Sequence, residues 1–379
     1  MNSISPTILQ VLPELRTGGV ERGTVEITEA IHNAGWKACV ASAEGPMVSK
    51  VLYAGGQHFN MPLASKKPIE MIKNIARLEK LIRDKEVDIV HARSRAPGWS
   101  AYFAARRTGA KFITTFHGVY GLQPSFKKSY NAIMTKGERV IAVSHFVADH
   151  IREHYKVPEE NIRVIHRGAD LNTFAPDKIM PGRMAELAKK WQLPDDDRPI
   201  IVVPGRITRW KGQDVCIHAL SLLKHKHFLC LLIGDPQKHP EFTEDLAKMI
   251  HALGLEGCVR MVGDTSYMAE AYQLSKLVVA PSVEPEAFGR VAIEAQAMGR
   301  PVIATRHGGA METVIDGDTG WLVEPGNEEA LAKAIEHALS LSPEEHERIS
   351  QNAIWNAQTN FSTAVMQQKT LDVYRELLG

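Results

Sequence analysis

Short apolar runs alternate with amphipathic segments along the 379-residue chain. In the first half the runs fall at 8–12, 37–41, 87–91, 112–115, 140–143 and 163–165. Between them lie segments such as 68–84, where Ile69, Ile72, Ile75, Leu78, Leu81 and Ile82 recur at helical spacing and predict an amphipathic helix. Strands that alternate with helices belong to a parallel sheet covered on both faces, because parallel strands need long crossovers. Residues 172–199 break the rhythm with several prolines and the acidic PDDDRP, which reads as a linker region. A second series of runs follows at 200–203, 228–233, 259–262, 277–280, 302–304 and 321–323. The pattern predicts an α/β protein of two doubly wound domains, 1–175 and 176–360. Ligands of such sheets bind outside the carboxyl ends of the strands, so two domains facing a central cleft would hold the site between them.

Composition narrows the class. Hydrophobic residues make up 44% and charged residues 23%, as in soluble globular proteins, and no stretch is apolar enough to span a bilayer. The start, MNSISPTILQVLPEL, lacks a basic segment and a cleavage site, so no signal peptide is expected. Cys39, Cys216, Cys230 and Cys258 form no C-x-x-C pair and read as core residues in a reducing cytosol, with neither a disulfide frame nor a zinc site. The net charge of +1 hides an asymmetry: 1–175 holds 24 Lys and Arg against 16 Asp and Glu, and 176–379 holds 21 against 28. A basic first half suits an anionic partner such as a membrane surface or a phosphorylated acceptor, although chance and solubility account for it equally well. Nucleic acid is not among the expected partners.

Three loops carry candidate chemistry. After the first strand, Gly18-Gly19 lets the backbone approach a ligand, and a helix starting near Val20 and Glu21 would aim free N–H groups at an anion. A plain turn explains the glycines about as well, and the G-x-G-x-x-G dinucleotide fingerprint is missing. In GRITRWKG, Arg206 and Lys211 follow the first strand of the second series and suit a diphosphate; the alternative is ordinary surface charge, for which Arg209 is an equally good candidate. In EPEAFGRVAIEA, Glu286 lies on a loop, Phe288-Gly289 opens a helix and Glu294 falls on its second turn. A carboxylate accepts two hydroxyl hydrogen bonds, as a ribose diol requires, so one acid for a ribose and one for a sugar is a sensible division.

The segment EPEAFGRVAIEAQAMGRPVIATRHGG resembles the E-x7-E signature of retaining GT-B glycosyltransferases, family 4. TGGVE, FHG at 116–118, the serine-initiated SHFVADHI, HRGAD, GRITRWKG and VGD at 262–264 stand in the family's order, so the likeness covers the whole chain. HRGAD stands for the usual N-G-hydrophobic-D turn, with His166 taken in place of the Asn. The resemblance implies two Rossmann-like domains facing a central cleft, with the last helix, around 361–379, packing back on the first. It implies a nucleotide-diphosphate sugar donor (UDP first, GDP second), a glycan or glycolipid acceptor, and no cofactor or metal. Arg206 and Lys211 would bind the diphosphate, Glu294 the ribose, and Glu286 the transferred sugar near the reacting centre. Gly18 and Gly19 would approach the phosphates, His117 would lie beside the sugar, and the backbone of 263–267, from Gly263 to Tyr267, would meet the base. Phe288 and Gly289 would present the helix start. HARSRAPGWSAYFAARRTG looks most like the branch that builds lipopolysaccharide cores. A nucleotide-sugar epimerase and a non-catalytic sugar-nucleotide binder are the alternatives.

Other strings point elsewhere. HIREH at 150–154 matches a zinc-protease string, but its helix is amphipathic and no third ligand is evident. The acids at 195–197 and 316–318 fit turn chemistry better than metal binding. Lys127 and Lys128, with Phe126, Tyr130, Ile133 and Met134 of segment 125–139, would form either a basic patch touching anionic lipid or an ordinary helix with its apolar side inward.

Overall fold

A computed structural model of the chain describes residues 5–16, 18–124 and 126–379. Residues 1–4, Thr17 of TGGVE and Ser125 of the basic segment lie outside the described residues. The chain divides into two compact units, Met1–Arg167 with Ala364–Gly379, and Gly168–Thr363. Among the described residues no helix is long and apolar enough to cross a membrane.

The first unit holds strands β1 (Thr7–Glu14), β2 (Lys37–Ala43), β3 (Gln57–Asn60), β4 (Ile89–Ala92), β5 (Lys111–Phe116), β6 (Arg139–Ala142) and β7 (Ile162–Val164). They pair in the order β3-β2-β1-β4-β5-β6-β7, all parallel. The central strands are buried on both faces, which is why they read as unbroken apolar runs. β3 is the strand that the pattern missed: QHFN is a half-exposed edge strand of four residues with a single apolar side chain. The helix Pro68–Asp84 forms where its spacing predicted, but its buried side begins at Asn74 and runs through Leu78, Leu81 and Ile82. Ile69 and Ile72 are 71% and 66% exposed.

The last helix, Thr363–Leu378, belongs to the first unit from Ala364 onward. Met366, Leu371, Val373 and Tyr374 enter its core beside Ile8, Ile89 and Ile113. The buried Tyr374 hydroxyl lies 2.7 Å from His91 Nδ1, and His91 Nε2 lies 2.7 Å from Thr115 Oγ1, so a polar chain fastens the helix to β4 and β5. Glu376 adds ion pairs to Arg139 and Arg163 at 2.9 and 2.8 Å.

The second unit holds β8 (Ile200–Pro204), β9 (Leu229–Ile233), β10 (Val259–Gly263), β11 (Leu277–Ala280), β12 (Val302–Thr305) and β13 (Gly320–Val323), in the order β10-β9-β8-β11-β12-β13, again all parallel. Residues 172–199 are no free linker. Phe174, Leu187 and Trp191 are buried in this unit's core, and the division between units falls at Arg167/Gly168, ahead of the expected 175. A few large apolar side chains suffice to bind a segment whose average composition is polar. Both sheets reverse strand direction of growth beside their first strand, at β1/β4 and β8/β11, the position where ligand crevices open in such sheets.

Candidate active site

In the second unit the loops after β8 and β11 leave neighbouring strands and close on each other. The Val283 amide donates to the Trp210 carbonyl at 2.8 Å. Gly212, at φ +69°, turns the first loop into the helix Gln213–Ser221, and a Cβ there would lie 2.0 Å from the Pro281 carbonyl oxygen. Only glycine tolerates both the left-handed backbone and that approach. Residues 75 positions apart thereby meet: Lys211 Nζ lies 2.7 Å from Glu286 Oε1, with the two side chains only 11% and 20% exposed. The Ser282 hydroxyl donates to the same Oε1 at 2.6 Å. Both bonds fall on one oxygen, which leaves Oε2 available to a ligand hydroxyl.

The cations of this loop separate into two groups. Arg206 is exposed, with its guanidinium 5.2 Å from the Trp210 ring centre, and Lys211 Nζ lies 4.7 Å from the same ring. The Gln213 amide donates to the Arg206 carbonyl at 2.8 Å and fixes the loop backbone. Arg209 instead pairs with Asp245 at 2.6 Å and covers Phe242.

Glu286 is held by its backbone too: its carbonyl accepts from the Gly309 amide at 2.8 Å. A Cβ on Gly309 would sit 2.4 Å from Phe288 Cα, so the glycine pair of RHGG is needed for the loops to touch. The helix Arg290–Ala297 starts from Gly289 at φ +79°, and its first amides are unpaired by the helix itself. Glu294, nearly buried, accepts from the Tyr272 hydroxyl at 3.3 Å and lies 3.4 Å from Arg290 Nε. The Phe288 side chain is buried against Phe361, which leaves its backbone to the loop. His307, which the sequence reading passed over, shares a recess with Ser282, Glu286 and Gly289, and both its ring nitrogens are buried without a hydrogen-bond partner.

A second recess, of about 210 Å³, opens at the carboxyl ends of β8, β9 and β10, where Gly205, Arg206, Gly234, Asp264 and Thr265 line it. Gly263 sits at its rim with φ +76°. The Tyr267 amide donates to Thr265 Oγ1 at 3.0 Å, while its ring lies under Arg183 at 5.3 Å.

The first unit gathers a different set. Gly18 precedes the helix Gly19–Asn33, and a Cβ on it would meet the Glu21 carboxylate. Arg167 Nη1 donates to the Gly19 carbonyl at 2.6 Å, and Nη2 lies 2.6 Å from His117 Nδ1. A guanidinium can only donate, so His117 Nδ1 accepts and the proton stands on Nε2, which is buried and unpartnered. Burial, then the Arg167, Arg93 and His91 neighbours, hold His117 well below the usual histidine range, so the ring is neutral at pH 7. Arg167, and not His166, is the residue directly before the glycine of HRGAD and so fills the Asn place of the N-G-hydrophobic-D turn. Its signal was a cation where the pattern has an amide.

The remaining candidates are structural. Ser144 caps its helix by accepting from the Val147 amide at 3.1 Å. His150 packs among Phe116, Tyr155 and His154. Asp316 accepts from the Leu322 amide at 3.0 Å and Asp318 from Asn352 at 2.6 Å, both as turn and packing acids.

Known proteins carry the same frame. The family described as Glycosyltransferase Family 4 matches residues 17–173, and Glycosyl transferases group 1 matches residues 185–355. A crystal structure of a glycosyltransferase from Rickettsia africae ESF-5 is 43% identical, with a TM-score of 0.92 and 99% of each chain covered. D-inositol 3-phosphate glycosyltransferase of Nocardiopsis dassonvillei is 29% identical over 313 residues, 76% of this chain and 70% of that protein. Anabaena Alr3699/HepE, solved with UDP and glucose, shares the fold at 23% identity and a TM-score of 0.82, covering 97% of this chain and 99% of its own. The chain belongs to family 4 of the GT-B glycosyltransferases, and it is a transferase enzyme.

Proposed function

We propose that the enzyme moves a sugar from a nucleotide-diphosphate donor, UDP-linked before GDP-linked, to a glycan or glycolipid acceptor with retention of configuration. The observation that carries the reading is the Lys211–Glu286 pair beside Arg206, with Glu294 on the adjoining helix. In this reading Arg206, Lys211 and the amides after Gly289 hold the diphosphate, Glu294 takes the ribose, and the free oxygen of Glu286 takes a sugar hydroxyl. The recess beside Gly263 is suited to a flat base, and the Nε2–H of His117 to a sugar oxygen. The bond from the anomeric carbon to the phosphate oxygen breaks with its electrons leaving on the diphosphate. The acceptor oxygen bonds on the same face, and its proton passes to the departing phosphate. Fixed cations stabilise the charge that develops there without a metal.

The UDP bound to the Anabaena fold relative supports the choice of base, and the inositol phosphate in the name of the Nocardiopsis relative supports an anionic acceptor. Lipopolysaccharide core is the acceptor favoured by the 91–109 segment. A thermal-shift panel of UDP, GDP and ADP in EDTA tests the donor. A ligand at 100 times its Kd adds about 2.7 kcal/mol, and one nucleotide should do so in the native chain and not in Glu294→Ala. No shift from any of the three sinks the donor assignment and leaves an epimerase or a silent binder no better supported.

A cytoplasmic, peripheral location at an anionic membrane goes with this reading. Ile133 and Met134 of the basic segment are fully buried, but Phe126 is 69% exposed beside Lys127 and Lys128. Exposed Phe103, stacked on Trp99, and the exposed Ile69 and Ile72 lie on helices packed near it. Lys127→Ala/Lys128→Ala should weaken the affinity for anionic vesicles about thirtyfold, roughly 1 kcal/mol for each charge, read by co-sedimentation. Unchanged sedimentation removes the membrane from the proposal.

A further inference from the structure

The amino-terminal rim of the second unit's sheet, opposite the loops just described, holds an open recess of about 460 Å³. Arg198, Lys276, Arg300 and His346 line it with Leu274 and Leu341. It sits where β8 and β11 begin, since Ile200 opens one strand and Lys276 directly precedes the other. No carboxylate lines it among the described residues. Arg198 is committed, with Nε 2.9 Å from Asp196 Oδ2 and Nη1 donating to the Gly257 carbonyl at 2.8 Å.

Lys276 and Arg300 have no such partner. Each reaches only a carbonyl, Lys276 that of Leu339 and Arg300 that of Ser275, both at 3.2 Å. Arg300 Nε and His346 Nε2 are buried with no hydrogen-bond partner at all. A buried donor left unmade costs free energy, and a cation without a counter-charge costs more. Burial lowers both groups' pKa, and the Arg300 and Lys276 charges lower that of His346 further, against upward pulls from the Lys276 backbone and Glu347. An oxyanion with several acceptor oxygens meets the Lys276 and Arg300 cations, and the unpaired Arg300 Nε–H, at once.

We infer that this recess is a second anion site, separate from the donor loops, that takes the phosphate group of a small molecule through Lys276 and Arg300. Leu274 and Leu341 offer apolar surface to a short carbon skeleton beside the phosphate. The inference stands independently of the donor reading, because it uses none of the same residues.

The test is a thermal-shift titration of inorganic phosphate against chloride at equal ionic strength. It uses the full chain carrying Arg206→Ala/Lys211→Ala, so that the donor-side cations cannot answer for the phosphate. A saturable rise in Tm is expected. Adding Lys276→Gln should weaken the apparent Kd about tenfold or more, the loss of about one charge-assisted contact. Adding Arg300→Gln as well should remove the response. A glycerol 3-phosphate arm separates the sources: a tighter response than to inorganic phosphate assigns the site to phosphomonoesters, and an equal one to free phosphate. Lys276→Gln in the otherwise native chain should keep the native circular-dichroism spectrum and a cooperative thermal transition, which certifies its fold. No phosphate-specific rise, or a rise that survives Lys276→Gln/Arg300→Gln, overturns the inference. If the double variant does not fold, Lys276→Gln alone decides, and an unchanged Kd there overturns it.

Discussion

Both units place their first strand in the middle of a parallel sheet and their fourth beside it, yet the two switch points carry different chemistry. In the second unit a cation and an acid close on each other across the β8 and β11 loops, Lys211 on Glu286, and Glu294 follows one helix later. In the first unit a guanidinium, Arg167, holds a glycine carbonyl and a neutral histidine. One winding thus supports an acid paired with a cation in one unit and a cation paired with a neutral histidine in the other. The fold supplies the crevice in each case, and the loop residues supply the chemistry.

The largest expected break in this comparison comes from Lys211→Ala. It should cut turnover by about 10²-fold or more, as removal of one preorganised donor does, and steady-state kinetics with the identified donor would read it. Near-normal turnover there would mean that the second unit's pair is structural. Arg167→Ala is the matching cut in the first unit. Losing charge-assisted hydrogen bonds of about 1.5–3 kcal/mol frees the His117 tautomer and should slow turnover by roughly ten- to a hundredfold. The KM for the donor's nucleotide half should stay unchanged, because that half is assigned to the other unit. A KM effect as large as the kcat effect would contradict the division of labour.

A third variant sharpens the contrast on stability alone. Tyr374→Phe leaves the buried His91 short of a partner and should cost about 1–3 kcal/mol, read by urea unfolding. The loss should appear in amide exchange of β4 and β5 and spare β8 and β9. The smallest expected effect is that of acid. Burial first, and neighbouring positive charge second, hold His91 and His117 well below the ordinary histidine range, and His58 and His150 are also lowered, mainly by burial. In the second unit burial lowers His346. Below about pH 6.5 the unfolded chain takes up protons that these folded groups refuse. Their contribution is therefore complete above that pH and is lost as pH falls toward the depressed folded values. Exchange at about pH 8 and about pH 5.5 should show β4 and β5 loosening more than β8 and β9. Equal loosening would remove this difference between the units.

Much of this was legible in one dimension. Strand and helix periods gave twelve of the thirteen strands, because parallel strands buried on both faces must be apolar throughout. Helix starts expected near Val20 and at Phe288-Gly289 fall at Gly19 and Arg290, next to the glycines that signalled them, and the spacing of Glu286 and Glu294 around Gly289 is local enough to read directly. β3 escaped because an edge strand needs little hydrophobicity, and residues 172–199 passed for a linker because a few large side chains do not change an average.

What the tertiary structure decided is which distant residues meet. Nothing along the chain distinguishes Arg209 from Arg206, yet Asp245 lies on a helix that draws one of them away. Nothing marks Arg167 as the partner of His117, or Lys276 and Arg300 as neighbours on one rim. The division has a physical reason. Burial and backbone preference act over a few residues and leave a periodic trace in the sequence. Strand order and side-chain pairing depend on which elements pack together, and the same local pattern is compatible with many of those arrangements.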